Sequence, residues 1–186
     1  MRVVLKRDDL AAVAGTAIIR VGTEFERLEI TPVDKAARDF VAGEPIDVCE
    51  IPVVTLLRAI AAGEPVALLP VTALGRIAAE IPESPDAAEE FGPINHVVGV
   101  RVTAAAEHPE TVLALYDALS EAAAATGPAP APVEVNPVGF AALRGPVTDA
   151  ARQAYEHDLL SRPIEFDELI ERTCGALGVR ASRLGG

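Results

Sequence analysis

The sequence predicts an α/β protein built as three layers, a mainly parallel sheet flanked by helices. Two observations carry this. Segments of strand length alternate with segments of helix length, and the run VALLPV is apolar throughout. An unbroken apolar run fits a strand covered on both faces. A strand–helix–strand rhythm argues for crossover helices joining parallel strands.

Residues 2–6 (RVVLK) predict an opening strand, and residues 28–33 alternate loosely enough to give a second. Asp34 offers an N-cap for a helix over residues 35–41, closed by Gly43. Residues 46–51 predict a third strand, residues 52–62 a helix ending in Ala-Gly-Glu-Pro, and residues 66–71 the apolar fourth strand. Residues 80–86 (EIPESPD) form a polar, proline-bearing break. The clearest strand of the second half covers residues 95–103 (NHVVGVRVT).

Pro109 then opens a long helix to about Ala125, with Val112, Leu113, Leu115, Tyr116 and Leu119 on one side. Residues 127–137 (GPAPAPVEVNP) read as a proline-rich surface connection. Helices near residues 148–160 and 165–177 finish the chain, followed by a frayed Gly-Gly end. Neither an internal repeat nor a second core is legible, so residues 1–186 are read as a single domain.

Composition bounds the function. Aromatic residues make up 4% of the 186 residues and Trp is absent, which leaves Ala, Val, Leu and Ile to build the core. The formal net charge is −12 and the arginines are scattered. Such a surface repels nucleic acid and anionic membranes, because phosphate binding draws on clustered cations. Cys49 and Cys174 are too few for a disulfide framework, and Lys6, Arg7, Asp8 and Asp9 interrupt any signal-peptide apolar stretch. No stretch approaches the ~20 apolar residues of a membrane span. A cytoplasmic location is the default expectation.

No nucleotide-binding glycine loop, zinc-protease or serine-hydrolase signature is present. His96, His108 and His157 are far apart in sequence, so no metal site is expected. Polar residues do end or open the apolar strands. Asp47, Val48, Cys49 and Glu50 end the third strand, Thr72 to Arg76 follow the fourth, and Asn95 and His96 open the later one. In open parallel sheets ligands bind at the carboxyl ends of the strands, so these three places are expected to share one mouth. On residue type alone, Cys49 fills core space, Glu50 caps backbone N–H groups or serves a site, His108 starts a helix and His157 lies on a solvated face.

The run IDVCEIPVVTLLRAIAAGEPVALLPVTALGR resembles the 4,5-dihydroxyphthalate decarboxylase family. Members show a similar Asp-Val-Cys-Glu strand, a following helix, a Gly-x-Pro turn and a strand ending in Leu-Pro before an arginine. FGPINHVVGVRVTAAAEHPETVLALYDAL resembles the family's return segment, and NPVGF with AYEHDLLSRPIEFDELI its closing elements. The resemblance implies one lobe of a type II periplasmic-binding-protein fold. It also implies a cleft holding a hydroxylated aromatic carboxylate, from which a carboxylate group is removed. Glu50, Arg76, His96 and Arg144 match polar positions of the family's motifs.

In the roles so implied, Arg76 or Arg144 grips the carboxylate with Asn95 nearby, and His96 protonates the ring carbon as CO2 leaves. Glu50 orients His96, and no organic cofactor is implied. Pro52 stands where relatives tend to carry serine, and Ile77, Ala78 and Ala79 replace the residues that follow the family arginine. The interval between Arg76 and Phe91 is too short for the family's second lobe. A homodimer or a partner chain is therefore expected to cover the open cleft face. A non-catalytic module that binds a small carboxylate, and a structural partner of a fuller-length relative, are the alternative functions.

Overall fold

A computed structural model describes residues 1–75, 94–125 and 137–186. Among these residues it contains one sheet of five strands in the order β2-β1-β3-β5-β4. The strands are β1 (Arg2–Val4), β2 (Glu26–Arg27), β3 (Val48–Pro52), β4 (Val66–Gly75) and β5 (Ile94–Arg101). β1 runs parallel to β2 and β3, while β5 lies antiparallel between β3 and β4. Four strands thus share one direction, and the protein is an α/β open sheet flanked by helices, as the strand–helix rhythm predicts. β3, β4 and β5 bury nearly every described side chain, which is why VALLPV carries no polar alternation.

Helix α1 (Asp8–Arg20) follows β1, where the sequence pattern predicts no element. Its buried stripe is Leu10, Ala11, Ala14, Ala17 and Ile18, mostly alanines whose small apolar surface gives a weak periodic signal. Asp8 and Asp9 lie in its first turn and Arg20 in its last, each complementing the helix dipole. α2 (Val33–Ala42) buries Ala36, Ala37 and Phe40 and closes at Gly43 as predicted. That glycine is left-handed, with φ 96°, where a side chain would be strained. α3 (Val53–Ala61) begins immediately after β3.

Several expected boundaries are corrected. The strand expected over residues 28–33 is instead the short β2 at Glu26–Arg27, because Pro32 has no N–H to pair and Val33 already starts α2. Asp34 lies inside the first turn of α2, and Pro32 holds the N-cap position with no side-chain cap. β5 ends at Arg101 and gives way to α4 (Val102–Glu107), whose three consecutive alanines favour helix. β4 runs past residue 71 to Gly75.

α5 (Pro109–Ala125) matches its expectation. α6 (Phe140–Glu156) starts eight residues earlier than predicted and passes through Pro146. Its apolar stripe of Phe140, Leu143, Val147, Ala150, Ala151 and Ala154 continues at helical spacing on both sides of the proline. Burial of that stripe outweighs the lost backbone hydrogen bond. α7 (Phe166–Leu177) is as expected, but the chain end is ordered into a 3-10 turn (Ala181–Leu184) with Leu184 fully buried. The backbones of Gly139 and Gly185 pack so closely that a Cβ on Gly185 would lie 2.9 Å from the Gly139 Cα.

Side chains seal the β4 edge. Arg172 of α7 donates to the carbonyls of Glu64 and Val66, and the Thr173 hydroxyl donates to that of Leu68 at 2.8 Å. This satisfies acceptors that would otherwise invite another strand. Among the described residues, no helix is long and apolar enough to cross a membrane.

Candidate functional site

The sheet direction decides where a ligand can sit. β1, β2, β3 and β4 all point their carboxyl ends to one side, and the antiparallel β5 begins there. Glu50 near the end of β3, Thr72 in the last half of β4 and His96 near the start of β5 are therefore brought to the same end of the sheet. Pro52 pairs with His96, Glu50 with Val98, and Leu74 with His96 from the other side.

A cavity of about 500 Å³ opens at this end. His96 lines it together with Lys6, Arg27, Glu29, Thr31 and Asp34, over an apolar floor that includes Leu5, Leu28 and Ile30. Lys6 comes from the turn between β1 and α1, and Thr31 and Asp34 from the start of α2. The cavity is a crevice at strand ends and helix starts, the usual ligand position in open α/β sheets. α3 also begins here, one residue past the partner of His96. It has neither a side-chain cap nor an acidic residue in its first turn.

Glu50 is 1% exposed. Its Oε2 accepts the backbone N–H of Lys6 at 2.9 Å. The last paired residues of β1 and β3 are Val4 and Cys49, so the carboxylate serves as an acceptor just beyond the end of the backbone ladder. A buried carboxylate without such a partner would be costly. Glu50 and His96 occupy diagonal positions on neighbouring strands, a spacing of roughly 7–8 Å between Cα atoms.

Cys49 is fully buried, and its thiol donates to the Glu50 carbonyl at 3.2 Å. Burial, reinforced by the neighbouring Glu50 carboxylate, pushes the thiol pKa up to about 12. The sulfur stays protonated and fills core space. The Thr72 hydroxyl donates to the Pro137 carbonyl at 2.8 Å and is also committed to structure.

The sequence-predicted residues are thus divided. His96 lines the cavity, whereas its half-buried neighbour Asn95 on β5 and the buried Glu50 do not. Arg76 lies outside the described residues, as do the break at residues 80–86 and the short interval read as a missing lobe. Arg144 sits on α6, ion-paired to Asp167 at 2.8 Å and stacked 4.9 Å from the Phe166 ring centroid; it does not line the cavity. His108 precedes α5 and accepts the Val112 N–H, a helix-start role. His157 is exposed at the end of α6.

Sequence reasoning missed Lys6, Arg27, Glu29 and Thr31. The rule that strand ends bear ligands pointed to Lys6 as much as to Glu50, had it been applied to the first strand. Arg27 is held by Asp8 at 2.7 Å and reaches the Leu5 carbonyl at 3.4 Å. The Lys6 ammonium has no ion pair or hydrogen bond among the described residues. No group of three or more His, Cys, Asp or Glu side chains among the described residues is placed to hold a metal ion. Comparison with known proteins found no matching family model, curated protein or solved structure.

Proposed function

We propose that the protein is decarboxylase-like and acts on a small hydroxylated aromatic carboxylate held in the cavity at the carboxyl ends of the strands. The observation that carries this reading is His96 lining that cavity beside a cationic Lys6. The ligand's carboxylate is drawn by positive charge at the crevice, and His96 delivers a proton to the ring carbon as the carbon–carboxylate bond breaks and CO2 departs. The electron pair of the broken bond becomes the new C–H bond, so no redox partner or organic cofactor is required. The resemblance to the 4,5-dihydroxyphthalate decarboxylase family, and through it to one lobe of a type II periplasmic binding protein, supplies the reaction class.

Lys6 is exposed and His96 only half-buried. Charge stabilisation is strongest in a dry, preorganised site, so the reading includes a second copy of the chain, or a partner chain, closing over this face. The reading places the protein in the cytoplasm. Non-catalytic binding of a small carboxylate is the second reading, favoured by the same openness to water.

The two readings separate when turnover and binding are measured side by side. Turnover that vanishes in His96→Ala while binding persists supports the enzyme. Binding with no turnover at any pH supports the module.

A further inference from the structure

Of the two arginines expected to grip the carboxylate, Arg76 lies outside the described residues and Arg144 does not line the cavity. Arg144 is spent on Asp167 and Phe166, and Arg27 on Asp8 and the Leu5 carbonyl. Lys6 differs in two respects. Its ammonium has no partner among the described residues, and its backbone is pinned by the buried Glu50 carboxylate. A fixed backbone with an uncommitted charged end is the arrangement a binding lysine needs, since less freedom is lost when a ligand arrives. The cavity also carries the opposite charge: Glu29 and Asp34 line it and are exposed, with no ion pair among the described residues.

We propose that Lys6 is the carboxylate-binding residue of this cavity, and that Glu29 and Asp34 accept hydrogen bonds from hydroxyl groups on the same ligand. The occupant is therefore an anion that also carries donors, and a bare aromatic acid fits poorly. Carboxylates beside an unsubstituted ring would lose water and gain no hydrogen bond. A dihydroxylated acid satisfies both ends of the cavity. Glu50 acts as a positioning residue through the Lys6 backbone. This inference rests on the functional reading above and names the groups that hold the ligand.

The test is calorimetric titration of the full chain with 3,4-dihydroxybenzoate, benzoate and catechol, using wild type, Lys6→Gln, Lys6→Arg and Arg58→Gln. Lys6 is exposed, so its replacement leaves the fold intact, as circular dichroism will verify. Arg58 is an exposed cation at the opposite end of α3 and serves as the charge-matched control. A charged hydrogen bond is worth enough that Lys6→Gln should weaken 3,4-dihydroxybenzoate by roughly tenfold or more. Catechol, which lacks the carboxylate, should bind the variant as it binds wild type, and Lys6→Arg should recover most of the loss. Benzoate should bind wild type more weakly than the dihydroxy acid. Unchanged binding of the dihydroxy acid to Lys6→Gln overturns the role of Lys6 while the functional reading stands. Benzoate binding as tightly as the dihydroxy acid overturns the role of Glu29 and Asp34. Wild type that binds none of the three overturns both this inference and the functional reading.

Discussion

The Glu50 carboxylate accepts the Lys6 backbone N–H at 2.9 Å, joining β3 to the turn that leaves β1. A residue read from sequence as either a cap or a site member is a cap in the structure, and what it caps stands at the cavity wall. Glu50 is 1% exposed, so the bond is sheltered from water.

Glu50→Ala should therefore cost about 1–3 kcal/mol of stability, the penalty for a sheltered donor left unpaired. Glu50→Gln keeps an acceptor oxygen and should lose less. Urea unfolding of the two variants checks the order; equal losses would mean that the hydrogen bond is not the reason for the cost.

Arg101 closes the opposite end of the sheet. Its guanidinium donates to the carbonyls of Ile46, Phe40 and Glu44 and lies 5.2 Å from the Phe40 ring centroid. Lysine cannot reproduce a planar fork shared among three acceptors. Arg101→Lys should destabilise by about 1.5–3 kcal/mol, measured by denaturant midpoint. A loss under half a kilocalorie, the scale of ordinary surface changes, would show that the fork is dispensable.

Gly99 marks where α2 meets the sheet. A Cβ there would lie 3.1 Å from the Phe40 ring and 3.2 Å from the Ile51 side chain. Gly99→Ala should cost about 1–3 kcal/mol by overpacking, and the double variant with Phe40→Leu should recover part of it. Additive losses would place the strain elsewhere.

Cys49 gives the pH dependence a definite sign. Burial pushes the folded thiol up to about 12, well above the usual thiol range. The folded state thus holds its proton more tightly than the unfolded chain. The associated stability is complete below pH 9, declines as pH rises, and is lost above about 12. Cys49→Val should flatten that part of the alkaline decline in thermal unfolding. In the native protein a thiol reagent at pH 8 should reach the half-buried Cys174 well before Cys49. Equal reactivity would contradict the burial of Cys49.

Long or strongly apolar elements were legible in the sequence, and compensated ones were not. VALLPV, the Pro109 helix and the Gly43 cap each announce themselves by one local cause. α1 hid because its buried stripe is largely alanine, and α6 because Gly145-Pro146 reads locally as a break while Phe140 and Leu143 are buried on the near side of it. β2 was misplaced because two residues of pairing leave no pattern. At the site, His96 and Glu50 stood at strand ends, where the sheet rule looks. Lys6 also ends the first predicted strand, but its closeness to Glu50 follows from the strand order that sets β1 beside β3, which no local pattern encodes. The tie from Arg144 to Asp167 crosses between helices α6 and α7, and no spacing in the sequence encodes it.

The most direct measurement is release of CO2 from a panel of ortho- and para-hydroxylated aromatic acids by wild type and His96→Ala, side by side. Turnover by wild type that disappears in the variant is the result this account predicts, with His96 as the proton donor. Turnover that survives in His96→Ala would remove His96 from the chemistry, and no turnover on any acid would contradict the decarboxylase reading itself.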